Sequence, residues 1–388
     1  MKRIIELVTF GSLLLICSPL FAQDAVINKM DSRTLRFVCG GMIQAGTPIT
    51  ALGAANTNGT ITISGIPATA TVDRADLFWT VVIDSNPETS VTGQEISLNG
   101  QPVVGFKIGT LTSSPCMPLD DTVSYRATVT GLVGNPGNGI YTVSGPPIDP
   151  ENFTEGVTLQ ILWSDPNGPL MEDNLYHAIG SVPGSLAVTH AVELFSQDLA
   201  ISGTNAVGPV AATLYEVIGN GHADAVEALR FDGPCAGTIN LDNSLDGSTV
   251  ARAAATCPDS PVDPPQCFWD DDVHNVSAQF ACAAGNGATS ARLISNPADA
   301  PTTDCIDWPA LNLLTSTDEA VVCTAGGTYV DNHCPATAPW RNHGQYMVCV
   351  THAAVRFLSG LPHGGTCPRD EIQSCIVNPR AKSDVGKK

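Results

Sequence analysis

Charge is scarce in this sequence, and positive charge scarcer still. Of 388 residues, 14% are charged, with 18 Lys and Arg against 38 Asp and Glu, for a formal net charge of −20. A nucleic-acid binder needs a basic stripe to displace counterions from phosphates, and no such stripe is present. Anionic membrane surfaces are disfavoured on the same ground. Aromatic residues are few, at 6%. No stretch reaches the roughly 20 consecutive apolar residues needed to span a bilayer, so no membrane span is expected in the mature chain. The sequence also has no HExxH pair, no GxSxG elbow and no pair of CxxC motifs.

The chain opens with Lys2 and Arg3, then an apolar run from Leu7 to Cys17 broken only by Thr9, Gly11 and Ser12. Pro19 precedes Leu20-Phe21-Ala22 and the polar Gln23-Asp24. Charge, short apolar core and a small residue at the cut are the order of a bacterial-type signal peptide. Residues 1–22 are therefore expected to be removed, placing the mature protein outside the cell or at its surface.

Of 13 cysteines, Cys17 falls in that segment. The others are Cys39, Cys116, Cys235, Cys257, Cys267, Cys282, Cys305, Cys323, Cys334, Cys349, Cys367 and Cys375. An even number in an exported chain reads as disulfides, with a zinc cluster as the competing reading. Cys39–Cys116 is the simplest pairing in the N-terminal part, and Cys349 and Cys375 are candidates to bridge two C-terminal helices.

Abundant Gly and Pro, with Val, Ile, Thr and Trp at period two, favour an all-β class. Leu77, Trp79, Val81 and Ile83 alternate with Phe78, Thr80 and Val82; Val157, Leu159, Ile161 and Trp163 repeat the pattern, as do Val123, Tyr125, Ala127 and Val129. Shorter candidates are Ile61/Ile63 and Ile96/Leu98. Asn99-Gly100, ahead of Val103–Ile108, has the composition of a type I′ turn. Ala212–Ile218, Ala225–Phe231, Val276–Cys282, Ala288–Ser295 and Leu311–Thr315 suggest a second β region. The expected architecture is two β-sandwich or jelly-roll-like domains, residues 23–205 and a disulfide-rich 206–335, followed by a small helical hairpin and basic tail over 336–388. In that hairpin Tyr346, Val350, Ala354, Phe357 and Leu361 form one helix face. Gly364-Gly365 ends the first helix, and Ile372, Cys375 and Ile376 line the second, which Pro379 should stop or bend.

Several of these segments have company elsewhere. Arg74–Trp79, Leu159–Asp165, Trp269–Ser277 and Asp304–Trp308 resemble strands of an uncharacterised family of bacterial secreted and cell-surface proteins. Trp340–Val350 with Ser383–Lys388 is similar to a C-terminal segment of many exported bacterial proteins. The resemblance implies a compartment and a paired β-sandwich module with a helical tail. It brings no active site.

Asp270-Asp271-Asp272, followed by His274 and Asn275, is the densest set of hard ligands, and Asp242, Asn243 and Asp246 form a second acidic turn. Calcium takes six to eight oxygens and is the cation these runs suggest, against the plainer reading of solvated turns. The functional expectation is non-catalytic binding of a surface, a matrix polymer or a partner protein. The alternative is a secreted hydrolase acting on a glycan or ester polymer. Lys382, Lys387 and Lys388, the one positive cluster, suggest a frayed terminus or a docking tail.

Overall fold

The computed structural model describes residues 32–49, 58–84, 93–111, 120–145, 153–177, 198–204, 211–219, 229–233, 235, 237–241, 269–281, 289–295 and 307–387. The expected signal peptide, the Asp242/Asn243/Asp246 turn, and Cys116, Cys257, Cys267, Cys282 and Cys305 lie outside these residues. The described chain is mostly β-sheet, with helices at its C-terminal end, as the all-β expectation requires.

The first ten strands are β1 (Ser32–Pro48), β2 (Asn58–Ile63), β3 (Thr71–Asp84), β4 (Glu95–Leu98), β5 (Gln101–Val104), β6 (Phe106–Leu111), β7 (Asp120–Thr128), β8 (Gly139–Ser144), β9 (Phe153–Ser164) and β10 (Leu170–His177). They continue as β11 (Asp198–Thr204), β12 (Ala212–Gly219), β13 (Leu229–Gly233), β14 (Gly237–Leu241), β15 (Trp269–Asp270) and β16 (Val273–Asn275). A short helix, α1 (Ser277–Phe280), precedes β17 (Thr289–Ser295) and β18 (Asp307–Ser316). The large sheet runs β15-β12-β18-β10-β1-β9-β3-β7-β6, with β16 also paired to β12. Two four-stranded sheets accompany it, β2-β8-β4-β5 and β11-β17-β13-β14. Strands from either side of residue 205 thus share one sheet.

β1 is the pivot. Ser32–Cys39 pairs with β10, and Gly40–Pro48 pairs with β9. The turn between β9 and β10 wraps this point: Asp165 N donates to Cys39 O at 2.7 Å, and Gly40 N donates to Pro169 O at 2.8 Å. A side chain at Gly40 would collide with the Trp163 carbonyl, so only glycine lets the two backbones approach this closely. The β12–β18–β10 half then folds back over β1, β9 and β3. Tyr215 Oη donates to Met42 O at 2.8 Å, and Trp269 Nε1 donates to Thr158 Oγ1 at 2.8 Å. Val38, Met42, Leu162, Met171, Tyr215 and Leu314 fill the space between.

On the opposite face of β1, β9, β3 and β7 lies the main apolar core. Leu77, Trp79, Val81, Val123, Tyr125, Ala127, Val157, Leu159 and Ile161 pack there against Ile61, Ile63, Ile96 and Leu98 of the small sheet. These are the residues that the period-two pattern places on buried faces. Asn99 (φ 51°) and Gly100 (φ 73°) both take positive φ between β4 and β5, as a type I′ turn demands. The expected single strand Val103–Ile108 is instead two strands in different sheets. They hinge at Gly105, which sits against the Trp79 ring.

Three C-terminal helices, rather than the expected two, cap the Leu35–Phe37–Cys39 face of β1: α2 (Glu319–His333), α3 (His343–Phe357) and α4 (Arg369–Ala381). Asp318 caps α2 by accepting from Val321 N at 2.9 Å, and Asn342 caps α3 by accepting from Gln345 N at 2.8 Å. Tyr346, Val350 and Ala354 are buried as the helix face requires, and so are Ile372 and Ile376. Pro379 sits in the last turn of α4, which runs on to Ala381, so the proline does not stop the helix where it stands. Val276–Cys282, expected as a strand, contains α1.

Disulfides clamp the cap. Cys39 pairs with Cys367 and not with Cys116; Cys323 pairs with Cys375; Cys334 pairs with Cys349. Their Cα–Cα distances of 5.8, 6.1 and 6.0 Å suit the bond. Cys235 is disulfide-bonded as well. The basic tail is tied down at two points: Arg380 Nη2 lies 2.7 Å from Asp331 Oδ2, and His343 Nδ1 contacts Val385 O at 2.8 Å.

The Trp269 contact yields a first prediction. A β-carbon at Gly156 would overlap the Trp269 indole, whereas one at Gly131 meets open space. Gly156→Ala is expected to cost about 1–3 kcal/mol through overpacking, and Gly131→Ala under about 0.5 kcal/mol. Urea unfolding curves of the two variants check this; equal midpoints would show that β15 does not press on β9.

Candidate functional site

Two polar clusters occupy positions where an alternating strand ordinarily puts apolar side chains. The first lies between the two halves of the large sheet. Asp76 of β3 is fully buried; Arg74 Nε approaches its Oδ2 at 2.8 Å and Arg126 Nη2 at 3.0 Å, while Thr128 Oγ1 donates to Oδ1 at 2.8 Å. Arg74 Nη1 reaches across to Asp173 Oδ2 of β10 at 3.0 Å. Burial pushes the Asp173 carboxyl above its ordinary range, against the pull of Arg74 and Asn312. Two guanidiniums and two carboxylates compensate one another here, and the arrangement joins the halves of the sheet.

The second cluster lies at the sheet edge and contains the acidic run. β16 pairs with β12 so that His274 faces Leu214, and Glu216 N donates to Asp272 O at 3.0 Å. Gln44 Nε2 of β1 donates to both Glu216 O, at 2.9 Å, and Asp272 O, at 2.8 Å, while Gln160 Nε2 donates to Gln44 Oε1 at 2.9 Å. This amide relay fixes the edge strand on the sheet interior.

The run does not act as one unit. Asp270 is paired with Ile218 in β15. Asp271 turns inward, accepting from the Gly46 backbone; burial, and then Asp272, push its carboxyl well above the usual range. The Asp272 carboxylate lies 4.0 Å from His274 Nε2. Glu216, expected from the sequence only as part of the strand Ala212–Ile218, is also near: Oε2 is 3.8 Å from His274 Nε2. Burial and then Asp272 raise the Glu216 carboxyl well above its ordinary value, and burial lowers His274 to about 4. At neutral pH the imidazole is therefore uncharged and one ring nitrogen keeps a lone pair. The residue signal for Glu216 was a lone carboxylate in the apolar strand Ala212–Gly219. Its partner in space could not be read from the chain.

No family model matches this chain, and no curated protein matches it. Among solved structures it aligns with the ANXUR2 extracellular domain from Arabidopsis thaliana at 9% identity, covering 72% of this chain and 89% of that one, with a TM-score of 0.21. A peptide-N(4)-(N-acetyl-β-D-glucosaminyl) asparagine amidase aligns at 10% identity over 71% and 96% of the two chains, with a TM-score of 0.20. The ANX1 ectodomain from Arabidopsis thaliana gives 9%, 73% and 90%, with 0.19. TM-scores this low do not establish a shared fold.

A third surface is distinguished by what it exposes. The outer face of β2-β8-β4-β5 presents Thr60, Thr62, Ile140, Thr142 and Val104, with Ile140 69% and Val104 62% exposed. Thr60 faces Thr142 and Thr62 faces Ile140 across the β2–β8 ladder. Ser97 and Ser144, side by side at 2.5 Å between hydroxyls, continue the face. Glu95 is the one charged residue in these four strands.

Proposed function

We propose that this is an exported, extracytoplasmic protein that binds a surface, a matrix polymer or a partner protein without transforming it. Disulfides among the described residues, and the absence there of any helix long and apolar enough to cross a membrane, are compatible with that compartment. The observation that carries the reading is the outer face of the small sheet. On a chain of net charge −20, a level array of hydroxyls and methyl groups bearing a single carboxylate is a place where contact costs little charge desolvation. An uncharged, hydroxyl-rich polymer suits such a face: threonine and serine hydroxyls exchange hydrogen bonds with it, and Ile140 and Val104 lie against its apolar patches.

The test uses the full oxidised chain on a glycan array and on insoluble neutral polysaccharides. Thr142→Lys and Ile140→Lys, both at exposed positions and so harmless to folding, are expected to weaken binding about tenfold or more, a change of roughly 1.4 kcal/mol. Binding unaffected by either variant would remove this face from the reading. Turnover of chromogenic esters or glycosides would replace it with the secreted hydrolase.

A further inference from the structure

We infer that His343 is a pH-sensitive latch: it holds the C-terminal tail, residues 382–387, over the start of α3 in acid and releases it as the pH rises. This device is separate from the outer face of the small sheet and does not rest on polymer binding.

The inference starts from two carbonyls that meet one ring. His343 opens α3; its Nδ1 lies 2.8 Å from Val385 O and its Nε2 lies 3.1 Å from Ala381 O, both with hydrogen-bond geometry. A backbone carbonyl oxygen only accepts. A neutral imidazole has one N–H and one lone pair, so it donates to one of these carbonyls and turns its lone pair on the other. Only the imidazolium donates to both. Ala381 is the last residue of α4, so the second carbonyl belongs to the negative end of that helix, where a cation is favoured.

The tail is shaped to this seat. Gly386 (φ 71°) rests on the backbone of Asn342 and His343 so closely that a β-carbon would lie 2.7 Å from the Asn342 carbonyl carbon. Val385 packs against the apolar cluster of the cap, and Lys387 N donates to Asp384 O at 3.1 Å. Charged and titratable groups come from each element that meets the ring. Arg341 precedes α3, and Tyr346 lies one turn along it with its ring centre 6.1 Å away. Arg380 and Lys382 stand at the end of α4, and Asp384 and Lys387 in the tail. Arg380 is held by Asp331, and Lys387 by Asp384. Arg341, Lys382 and the positive end of α3 oppose a charged ring; the two carbonyls and the end of α4 favour it.

Docking the tail and protonating the ring thus favour each other. A histidine that gains acceptors in the closed form contributes in full at acidic pH and loses its hold as the pH rises through the histidine range, between about 5 and 8. Release frees the segment that carries Lys382, Lys387 and Lys388, the one positive cluster of the sequence. The pH then decides whether that segment lies against the cap or stands away from it.

The experiment uses the full oxidised chain and follows amide hydrogen exchange of residues 383–387 by mass spectrometry, in acid and in mild base, each corrected for the intrinsic exchange rate at that pH. Protection is expected to fall about tenfold or more between the two, the effect of losing one hydrogen bond from a charged donor. His343→Gln keeps an amide donor that does not titrate, so its protection is expected to be the same at both pH values. Gly386→Ala is expected to lose protection at both, because its tail cannot seat. Circular dichroism checks that the helices persist, and Gly386→Ala, which lies outside them, keeps the test informative if His343→Gln does not fold. Protection in the parent that is unchanged, or that rises with pH, overturns the inference. So does a pH dependence that survives in His343→Gln, or a Gly386→Ala tail as protected as the parent's.

Discussion

Replacing Cys39 or Cys367 with alanine lowers stability by about 2–5 kcal/mol, more than breaking either of the other described disulfides. Three features produce this result. Cys39 lies at zero exposure at the pivot of β1, where the strand changes partner from β10 to β9. Cys367 lies just ahead of α4, and its backbone N–H donates to Pro166 O at 3.0 Å, in the same turn that wraps the pivot. The bond thus joins the helical cap to the sheet at the sheet's most constrained point. It also closes 328 residues of sequence, against 52 for Cys323–Cys375 and 15 for Cys334–Cys349. In the chain-entropy account a 15-residue loop is worth roughly 3 kcal/mol and longer loops more, growing only with the logarithm of length. The expected result is therefore a ranking of the bonds, with Cys39–Cys367 costing most. Guanidinium unfolding of Cys39→Ala/Cys367→Ala beside Cys334→Ala/Cys349→Ala measures it. If the second pair costs more, the cap is held to β1 by the packing of Phe37, Phe357 and their neighbours, and the covalent link is secondary.

That pairing also marks the limit of what the chain reveals by itself. The strands were legible because each obeys a local rule: Leu77/Trp79/Val81 alternate, and Asn99-Gly100 supplies two residues that tolerate positive φ. The α3 and α4 faces were legible from spacing. α2 was not, for a physical reason. Val321, Val322, Thr324, Thr328 and Val330 are β-branched, and Gly326-Gly327 sits mid-helix, so local propensity argues against the structure formed. Tertiary packing decides otherwise: a side chain at Gly326 would collide with Ile376 and Phe357, so glycine lets α2 approach α4 and the Phe357 ring. Cys39–Cys367 and Glu216–His274 share a different obscurity. Both depend on which distant strands become neighbours, and no local rule carries that information. The acidic run was visible as composition. Asp271 and Asp272 lie between β15 and β16, and only the pairing of β16 with β12 brings Asp272 to Glu216.

The buried charges between the sheet halves lead to the second large effect. Asp76→Ala is expected to cost about 3–5 kcal/mol, since it removes the carboxylate that the buried Arg126 guanidinium faces and leaves Arg74 with Asp173 alone. Stacking cannot rescue Arg126: its guanidinium carbon lies 5.8 Å from the ring centres of Phe78 and Phe106, an attraction of about 0.5–2 kcal/mol that is already present. The opposite behaviour is expected of the balanced double variant Arg74→Met/Asp173→Leu. It removes one cation and one anion together and leaves Asp76 with Arg126 and Thr128. Burial holds the Asp173 carboxyl above its ordinary range even with Arg74 beside it, while Asp173 and Asp76 raise the Arg74 guanidinium against its own burial. Replacing that pair with apolar side chains of similar size should change stability by under about 1 kcal/mol, or raise it. Urea unfolding at pH 7 separates the cases. A mild Asp76→Ala with a severe double variant would mean that the Arg74–Asp173 contact, and not Asp76, is what joins β3 to β10.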